Sequence, residues 1–458
     1  MRHSLPTPVQ NPAIIRSNMT AEIAVLNRNA VALAADSAVT LQLPEGTKIY
    51  QANKLFTLSK YKPVGIMIYG TADFIGVPWE TIIKQYRKKL GTQGFATVLD
   101  YAKHFLAFVE KHPSFFPRNA ELASCYQTIL AWLQRLKTRL RKAVEIQIKN
   151  IGPVSEGKIR EMFAEIVEQD IAHLKLHKVL SRFSRLNRAT LIKRYGPTFR
   201  LAIQHGLQNL AGPVSLKRLM QGCTLVILRD LYWHGESGVV IAGFGDNEFL
   251  PSLYCYTLDS IICGRLRIRE EVRKRSKISS VGETASVVAF AQSEMVSLFM
   301  NGIDDDYDGF VRAFTGESFL KGYPDTIGKI LDKHLSPKQK KSVLAKVRNV
   351  GKQLFTKFSS DFTNYAQSAH SGPIIDIVNH LPKEELAAMA EALVNLTSFK
   401  RHVTRQAETV GGPVDVAVIS RGDGFIWIKK KHYFTKDLNP HFLANYFLRE
   451  NHVQKGRA

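Results

Sequence analysis

Cysteine and long apolar runs are both scarce in this chain. The four cysteines are Cys125, Cys223, Cys255 and Cys263, which are too few and too unevenly spaced for a disulfide framework or a paired-cysteine metal site. No apolar run approaches the roughly 20 residues that a membrane-spanning helix needs, and residues 1–19 lack the continuous apolar centre of a secretory signal. We therefore expect free thiols, no membrane contact and a cytoplasmic location.

Acidic residues are few relative to basic ones. The 458 residues include 63 Lys and Arg against 40 Asp and Glu, which gives a formal net charge of +23. Such an excess favours an anionic partner, such as nucleic acid or an acidic protein, but says nothing about the fold. The 45% hydrophobic content suits a well-filled core. We expect neither a cofactor nor a bound metal.

The segment Thr20–Asp36 predicts a β-hairpin. Two apolar strands flank the polar Asn27-Arg28-Asn29, so Thr20 lies at the start of the first strand and Asp36 at the end of the second. Thr20 directly follows Met19, and removal of the residues before it would make it a true N-terminus.

Short apolar runs bounded by turn residues predict further strands. They lie at 54–58, 64–69, 224–228, 238–244, 253–257, 286–290, 414–419 and 425–428. The sequence Gly70-Thr71-Ala72-Asp73 predicts the start of a helix that ends near the basic residues 87–89, and helical periodicity recurs at 97–111, 118–222, 291–301, 324–369 and 383–402.

Antiparallel hairpins at both ends of the chain favour stacked helix and sheet layers over a doubly wound parallel sheet. We divide the chain into an N-terminal extension or propeptide, the first part of a core, a helical insertion, the second part of the core, a helical segment, and a last hairpin with its tail. The corresponding ranges are 1–19, 20–117, 118–222, 223–301, 302–404 and 405–458.

A free N-terminal threonine carries both a nucleophilic hydroxyl and an α-amine, with an ordinary pKa of about 8, that can accept the hydroxyl proton. Such a site also needs a cation, which lowers the pKa of the amine and stabilises developing negative charge, and a carboxylate to orient that cation. Lys54 and Asp36 are the candidates, because paired strands bring a strand end and a strand start beside Thr20.

These residues resemble the β-type subunits of proteasomes and the peptidase ring of bacterial two-component ATP-dependent proteases. Thr20, Asp36, the Lys54-Leu55-Phe56 strand start and Gly70–Asp73 match positions of that family, and 411–426 resembles its last hairpin. The match covers roughly 20–112, 223–301 and 405–435, about half of the chain.

The resemblance implies an α+β fold, a four-layer αββα sandwich of the N-terminal nucleophile hydrolase type, here with a large helical insertion. It also implies a threonine-dependent hydrolase that cleaves peptide bonds through an acyl-enzyme, acts on a peptide or protein substrate, and assembles as a homo-oligomer, in some family members with an ATP-dependent unfoldase.

The same resemblance implies supporting groups. A backbone N–H at Tyr69 or Gly70 corresponds to the oxyanion donor, and Ser293 corresponds loosely to the family's supporting serine. The family's Asp-x-x-Ser before the last hairpin has no clean match; Glu408 and Thr409 are adjacent to those positions.

The family often has glycine before its threonine, whereas this chain has Met19. Either translation begins at Met19 and an aminopeptidase exposes Thr20, or residues 1–19 remain and the site is inactive. The alternative function is therefore an inactive module of the same fold that binds nucleic acid or an acidic protein through the basic helical insertion.

Two weaker sequence patterns do not lead us to predict a metal site. The acidic run that begins at Asp304 starts like a calcium loop but has Thr315 at the twelfth position, so we predict an acidic loop. His173 and His177 share a helical spacing without a third ligand, which is typical of a solvated helix face.

Overall fold

A computed structural model describes residues 20–43, 46–112, 115–210, 214–231, 235–331, 335–404, 411–432 and 434–441. Its strands, numbered in chain order, are β1 Glu22–Asn27, β2 Ala30–Ala35, β3 Ala38–Leu43, β4 Gly46–Gln51, β5 Leu55–Thr57, β6 Val64–Gly70, β7 Asp73–Phe74, β8 Val77–Pro78, β9 Ser237–Gly243, β10 Ser252–Ile262, β11 Arg265–Glu270, β12 Ser276–Lys277, β13 Ala285–Ala289, β14 Asp415–Ser420 and β15 Gly424–Lys429.

The helices are α1 Trp79–Leu90, α2 Val98–Lys111, α3 Arg118–Ile151, α4 Glu156–Leu176, α5 Arg188–Leu207, α6 Leu216–Leu228, α7 Glu294–Asn301, α8 Asp305–Glu317, α9 Tyr323–Leu331, α10 Pro337–Ala366, α11 Gly372–Val378 and α12 Lys383–Val403. The protein is therefore a mixed α and β protein, as the sequence predicts, and the sheets are antiparallel. No helix in the described ranges is long and apolar enough to cross a membrane.

The first sheet is built around the predicted opening hairpin. Its strand order is β13-β1-β2-β14-β15, and every neighbouring pair is antiparallel. β1 and β2 pair from Glu22 opposite Ala35 to Leu26 opposite Val31, so the hairpin's open end holds the residues just before β1 and just after β2. The predicted last hairpin, β14 and β15, completes the same sheet beside β2.

The second sheet has the order β11-β10-β9-β6-β5. The two sheets share one apolar cluster, to which alternate residues of β1 and β2 and of β6, β9 and β10 contribute, such as Leu33 and Val240. Because successive residues of a strand point to opposite faces of the sheet, the intervening residues of these strands point away from the shared cluster. Those of the first sheet pack against α7, α11 and α12, and those of the second pack against α1 and α2.

Helices α3 to α6 form a separate apolar core. The fully buried Trp132 of α3 donates its indole N–H to Asp170 of α4 at 2.8 Å, and Arg139 donates to the same carboxylate. The buried carboxylate is thus satisfied by donors from the facing helix, which a buried charge requires. Helices α3 to α6 themselves show the helical character predicted for residues 118–222.

The prediction of a strand at 224–228 is wrong, because these residues form the last turns of α6. A short run of apolar residues fits a buried strand and a buried helix segment equally well by periodicity. Here Leu219, Cys223, Val226 and Ile227 all face the helical core, at helical spacing.

The predicted helix start at Gly70–Asp73 is also wrong. Gly70 ends β6 with φ of 82°, two short strands β7 and β8 follow, and the helix begins only at Trp79. The sequence pattern also missed the β3–β4 hairpin and strand β11, which lies in a basic stretch. The acidic run at 304–308 does not form a loop: Asp304 caps α8 by accepting from the Tyr307 N–H, and the other residues open that helix.

Candidate active site

The open end of the β1–β2 hairpin holds Thr20 and Asp36 together. Asp36 N donates to Ala21 O at 3.1 Å, and Ala21 N donates to Asp36 Oδ1 at 3.2 Å. The second carboxylate oxygen, Asp36 Oδ2, accepts from Gly411 N at 3.1 Å, just before β14. These backbone donors fix the carboxylate next to the residue that follows Thr20.

Lys54 lies between two carboxylates. It precedes β5, accepts a backbone hydrogen bond from Ile68 N, and places its Nζ 2.5 Å from Asp36 Oδ1. The same Nζ lies 3.2 Å from Glu22 Oε1. Burial by itself would lower the pKa of the Lys54 ammonium, but the neighbouring Asp36 and Glu22 charges outweigh it and raise that pKa above its ordinary value. The predicted Asp36–Lys54 pair is therefore formed, and Lys54 is a cation.

Glu22 is the residue of this cluster that the sequence analysis missed. Thr20 Oγ1 donates a hydrogen bond to Glu22 Oε2 at 2.8 Å, and both side chains are buried. Thr20 and Glu22 are two residues apart, and such residues point to the same face of a strand. The signal in the sequence is one charged residue at the start of an apolar strand, and its complete burial is visible in the structure alone.

Opposing electrostatic effects act on the pKa of the Glu22 carboxyl. Burial is the main reason why its pKa rises to about 7, and the nearby Asp36 charge adds to the rise, while Lys54 and the Thr20 hydroxyl oppose it. Lys54 Nζ lies within ion-pair distance of Glu22 Oε1 but is closer to Asp36 Oδ1. One ammonium therefore pairs with two buried carboxyl groups.

Tyr69 and Gly70 lie at the end of β6, where they line a cavity of about 250 Å³. The Tyr69 ring lies near that of Phe290, and its hydroxyl is 3.3 Å from Cys255 Sγ. Phe290 N donates to Glu22 O at 3.0 Å, so the cavity wall is joined to β1 immediately after Thr20. Gly70 is required for its backbone: a Cβ there would lie 2.4 Å from Glu236 O.

The remaining predicted site residues are not joined to this cluster by any described contact. Ser293 precedes α7 and donates its hydroxyl to Asp305 Oδ2 at 2.8 Å. Glu408, Thr409 and residues 1–19, with Met19, lie outside the described residues.

Several basic residues form ion pairs within the chain. Arg135 and Arg139 pair with Asp170, and Lys431 pairs with Asp415. His173 and His177 place their Nε2 atoms 3.4 Å apart on the surface of the helical insertion. Over the described ranges no group of three or more His, Cys, Asp or Glu side chains forms a candidate metal site. An anionic partner stays a prediction.

Comparisons with known proteins add little. No family model matches this chain, and no curated protein matches it. The solved structure of the helical assembly of the Anbu complex from Pseudomonas aeruginosa is similar over 94% of this chain and 96% of that chain, at 11% identity and a TM-score of 0.24. A TM-score this low carries no argument about fold or function.

Proposed function

We propose that this protein is a threonine-dependent hydrolase of the N-terminal nucleophile class, which cleaves peptide bonds through an acyl-enzyme. The observation that carries the proposal is the buried Thr20–Glu22–Lys54–Asp36 cluster at the open end of the first hairpin. Buried charged groups are costly, and ionisable groups with perturbed pKa values cluster at functional sites, so several such groups around one hydroxyl support a catalytic role.

The fold supports the same proposal. Two antiparallel sheets share an apolar cluster and each packs helices on its other face, and we infer from this the four-layer αββα sandwich of the class. The helical insertion α3 to α6 extends that core and has its own apolar cluster.

Each group then has a role. Thr20 Oγ1 attacks the substrate carbonyl carbon, and a neighbouring base takes the hydroxyl proton; in this class the base is the free α-amine of the threonine. Lys54 supplies the positive charge that stabilises the negative charge developing near the nucleophile, and Asp36 holds Lys54. Backbone N–H groups at Tyr69 and Gly70 are the candidates for stabilising the oxyanion.

The proposal requires that Thr20 becomes the first residue of the mature chain. An intact-mass measurement on purified protein reads this directly, and we expect a chain that begins at Thr20. We also expect a peptide or protein substrate and a homo-oligomer, which light scattering would measure.

The decisive experiment compares Thr20→Ala with the wild-type protein in hydrolysis of fluorogenic peptides and in labelling by a threonine-directed peptidyl electrophile. Thr128→Ala is the matched control, because Thr128 is another buried threonine, whose hydroxyl only donates to Ser124 O in α3. We expect Thr20→Ala to lose both reactions and Thr128→Ala to keep them. Equal activity in the wild-type and Thr20→Ala proteins would refute the proposal.

A further inference from the structure

We propose that the Glu22 carboxylate, rather than the α-amine of Thr20, takes the proton of the Thr20 hydroxyl during attack, so that Glu22 is a catalytic residue. This inference rests on the proposed function, because it assigns the proton acceptor of the same nucleophile.

The geometry already places the acceptor on the reacting atom. Thr20 Oγ1 lies 2.8 Å from Glu22 Oε2 and donates its hydrogen to it. This distance is inside the range of about 2.6–3.2 Å over which a general base takes a proton directly. Both residues are buried, so the transfer takes place in a site of low dielectric, where the contact is strengthened.

The other groups of the cluster are less suited to accept this proton. Lys54 is an ammonium, which has donors and no acceptor. Asp36 Oδ1 accepts from Lys54 Nζ and Ala21 N, and Asp36 Oδ2 accepts from Gly411 N. Glu22 has fewer partners: its Oε1 lies 3.2 Å from the Lys54 ammonium, and its Oε2 faces the Thr20 hydroxyl and accepts from it.

The protonation behaviour of Glu22 agrees with the geometry. Its pKa is raised to about 7, chiefly by burial, and a general base is most effective when its pKa is near the working pH. An ordinary carboxylate, with a pKa near 4, would be a much weaker base. The Lys54 ammonium near Glu22 Oε1 favours the ionised form of the Glu22 carboxyl, which is the form that can accept the proton.

The proton and electron movements balance. As Thr20 Oγ1 forms a bond to the carbonyl carbon, its hydrogen passes to Glu22 Oε2 and the π-electron pair of the carbonyl moves onto the carbonyl oxygen. When the C–N bond breaks, that pair re-forms the C=O bond and the proton on Glu22 passes to the leaving nitrogen, which departs as an amine. Water then attacks the ester, gives one proton through Glu22 to Thr20 Oγ1, and releases the acid.

The test uses Glu22→Gln, Glu22→Asp and a control, Glu121→Gln. The amide still accepts a hydrogen bond from Thr20 but cannot take its proton, whereas the shorter carboxylate remains a base with poorer reach. Glu121 is a buried carboxylate in the helical insertion that accepts from Tyr195 and Arg194, so its replacement controls for loss of a buried charge alone. The assay is the rate of Thr20 acylation by the peptidyl electrophile between pH 5 and 9, followed by intact mass.

For the wild-type protein we expect a rate that rises with pH with a midpoint near 7. Glu22→Gln should be slower by roughly 100-fold or more and lose this rise, because general-base catalysis contributes about 10²–10⁴-fold. Glu22→Asp should be slower but keep a pH-dependent rise, and Glu121→Gln should match the wild type. If Glu22→Gln does not fold, Glu22→Asp decides, and a Glu22→Asp protein with the wild-type rate and pH profile overturns the inference.

The alternative outcomes separate the two proposals. A Glu22→Gln protein with the wild-type rate and pH profile overturns the role of Glu22 and leaves the threonine hydrolase intact. A wild-type protein that is neither labelled at Thr20 nor active overturns both.

Discussion

Replacing Lys54 by methionine would leave two buried carboxyl groups without their cation. Methionine has nearly the length of the lysine stem and no charge, so the change removes the ammonium 2.5 Å from Asp36 Oδ1 and 3.2 Å from Glu22 Oε1 with little change in volume. Removing one partner from a buried ion pair costs about 3–5 kcal/mol, because an uncompensated charge stays buried. We expect a loss of that size in the free energy of unfolding at pH 8.

The loss should depend on pH, and its sign follows from the carboxyl groups. Without Lys54 the folded-state pKa of Glu22, which burial already raises to about 7, rises further, so the folded protein binds more protons than the unfolded chain and its stability falls as pH rises. Below about pH 5 the Glu22 carboxyl is largely protonated in the folded variant, and the difference from the wild type should shrink.

Urea unfolding of the wild type and Lys54→Met at pH 5 and pH 8 measures this, with Lys62→Met as the matched control. Lys62 pairs with Asp246 at 2.9 Å on the surface, where side chains are partly exposed, and such pairs contribute about 0–1 kcal/mol. If Lys54→Met loses no more stability than Lys62→Met at pH 8, or if its loss grows as pH falls, the description of the cluster as charged and buried is refuted.

Three further predictions follow from the same structure. The wild-type free energy of unfolding should fall by about 3 kcal/mol between pH 4.5 and 7, because burial raises the Glu22 pKa to about 7 in the folded state. Glu22→Gln should remove this fall. Urea unfolding at several pH values in that window measures it, and an unchanged dependence of stability on pH in the variant would contradict the prediction. Arg267→Met should cost about 3–5 kcal/mol by stranding the fully buried Asp259, together with the carbonyls at the end of α6 that Arg267 binds; thermal unfolding reads this, and a change below 1 kcal/mol would argue against it. Gly70→Ala should destabilise more than Gly76→Ala, since both glycines have φ near 80° but only at Gly70 would a Cβ meet a backbone oxygen, at 2.4 Å; equal midpoints in urea would exclude that clash.

The local part of the fold could be predicted from sequence. The opening and closing hairpins follow from apolar alternation around polar turns, and both are confirmed as β1–β2 and β14–β15. The strand predicted at 224–228 shows the limit, because its apolar run satisfies both periods and only packing against α3 to α5 makes it helical. The helix expected from Gly70 fails for a related reason: a left-handed glycine that turns the chain into β7 looks in sequence like a helix start.

The candidate site divides in the same way. Thr20, Asp36 and Lys54 could be selected from sequence because a nucleophile, a carboxylate and a cation at strand ends have a chemical rationale. Glu22 could not be ranked without the structure, because a glutamate in a strand is most often on a solvated face. Its importance depends on complete burial and on the direction of its oxygens toward Thr20 and Lys54.

The sequence by itself determined the opening and closing hairpins, the helical character of residues 118–222 and three members of the candidate site, because these depend on periodicity and on residue chemistry within short stretches. Only the tertiary structure decided the protonation of the cluster. β1 and the end of β2 are paired within the first sheet, and the residue before β5 comes from the second sheet, which packs against the first. This packing places one ammonium against two carboxyl groups out of water. The charge of a buried carboxyl is set by desolvation and by neighbours from other strands, and neither is written in the local sequence.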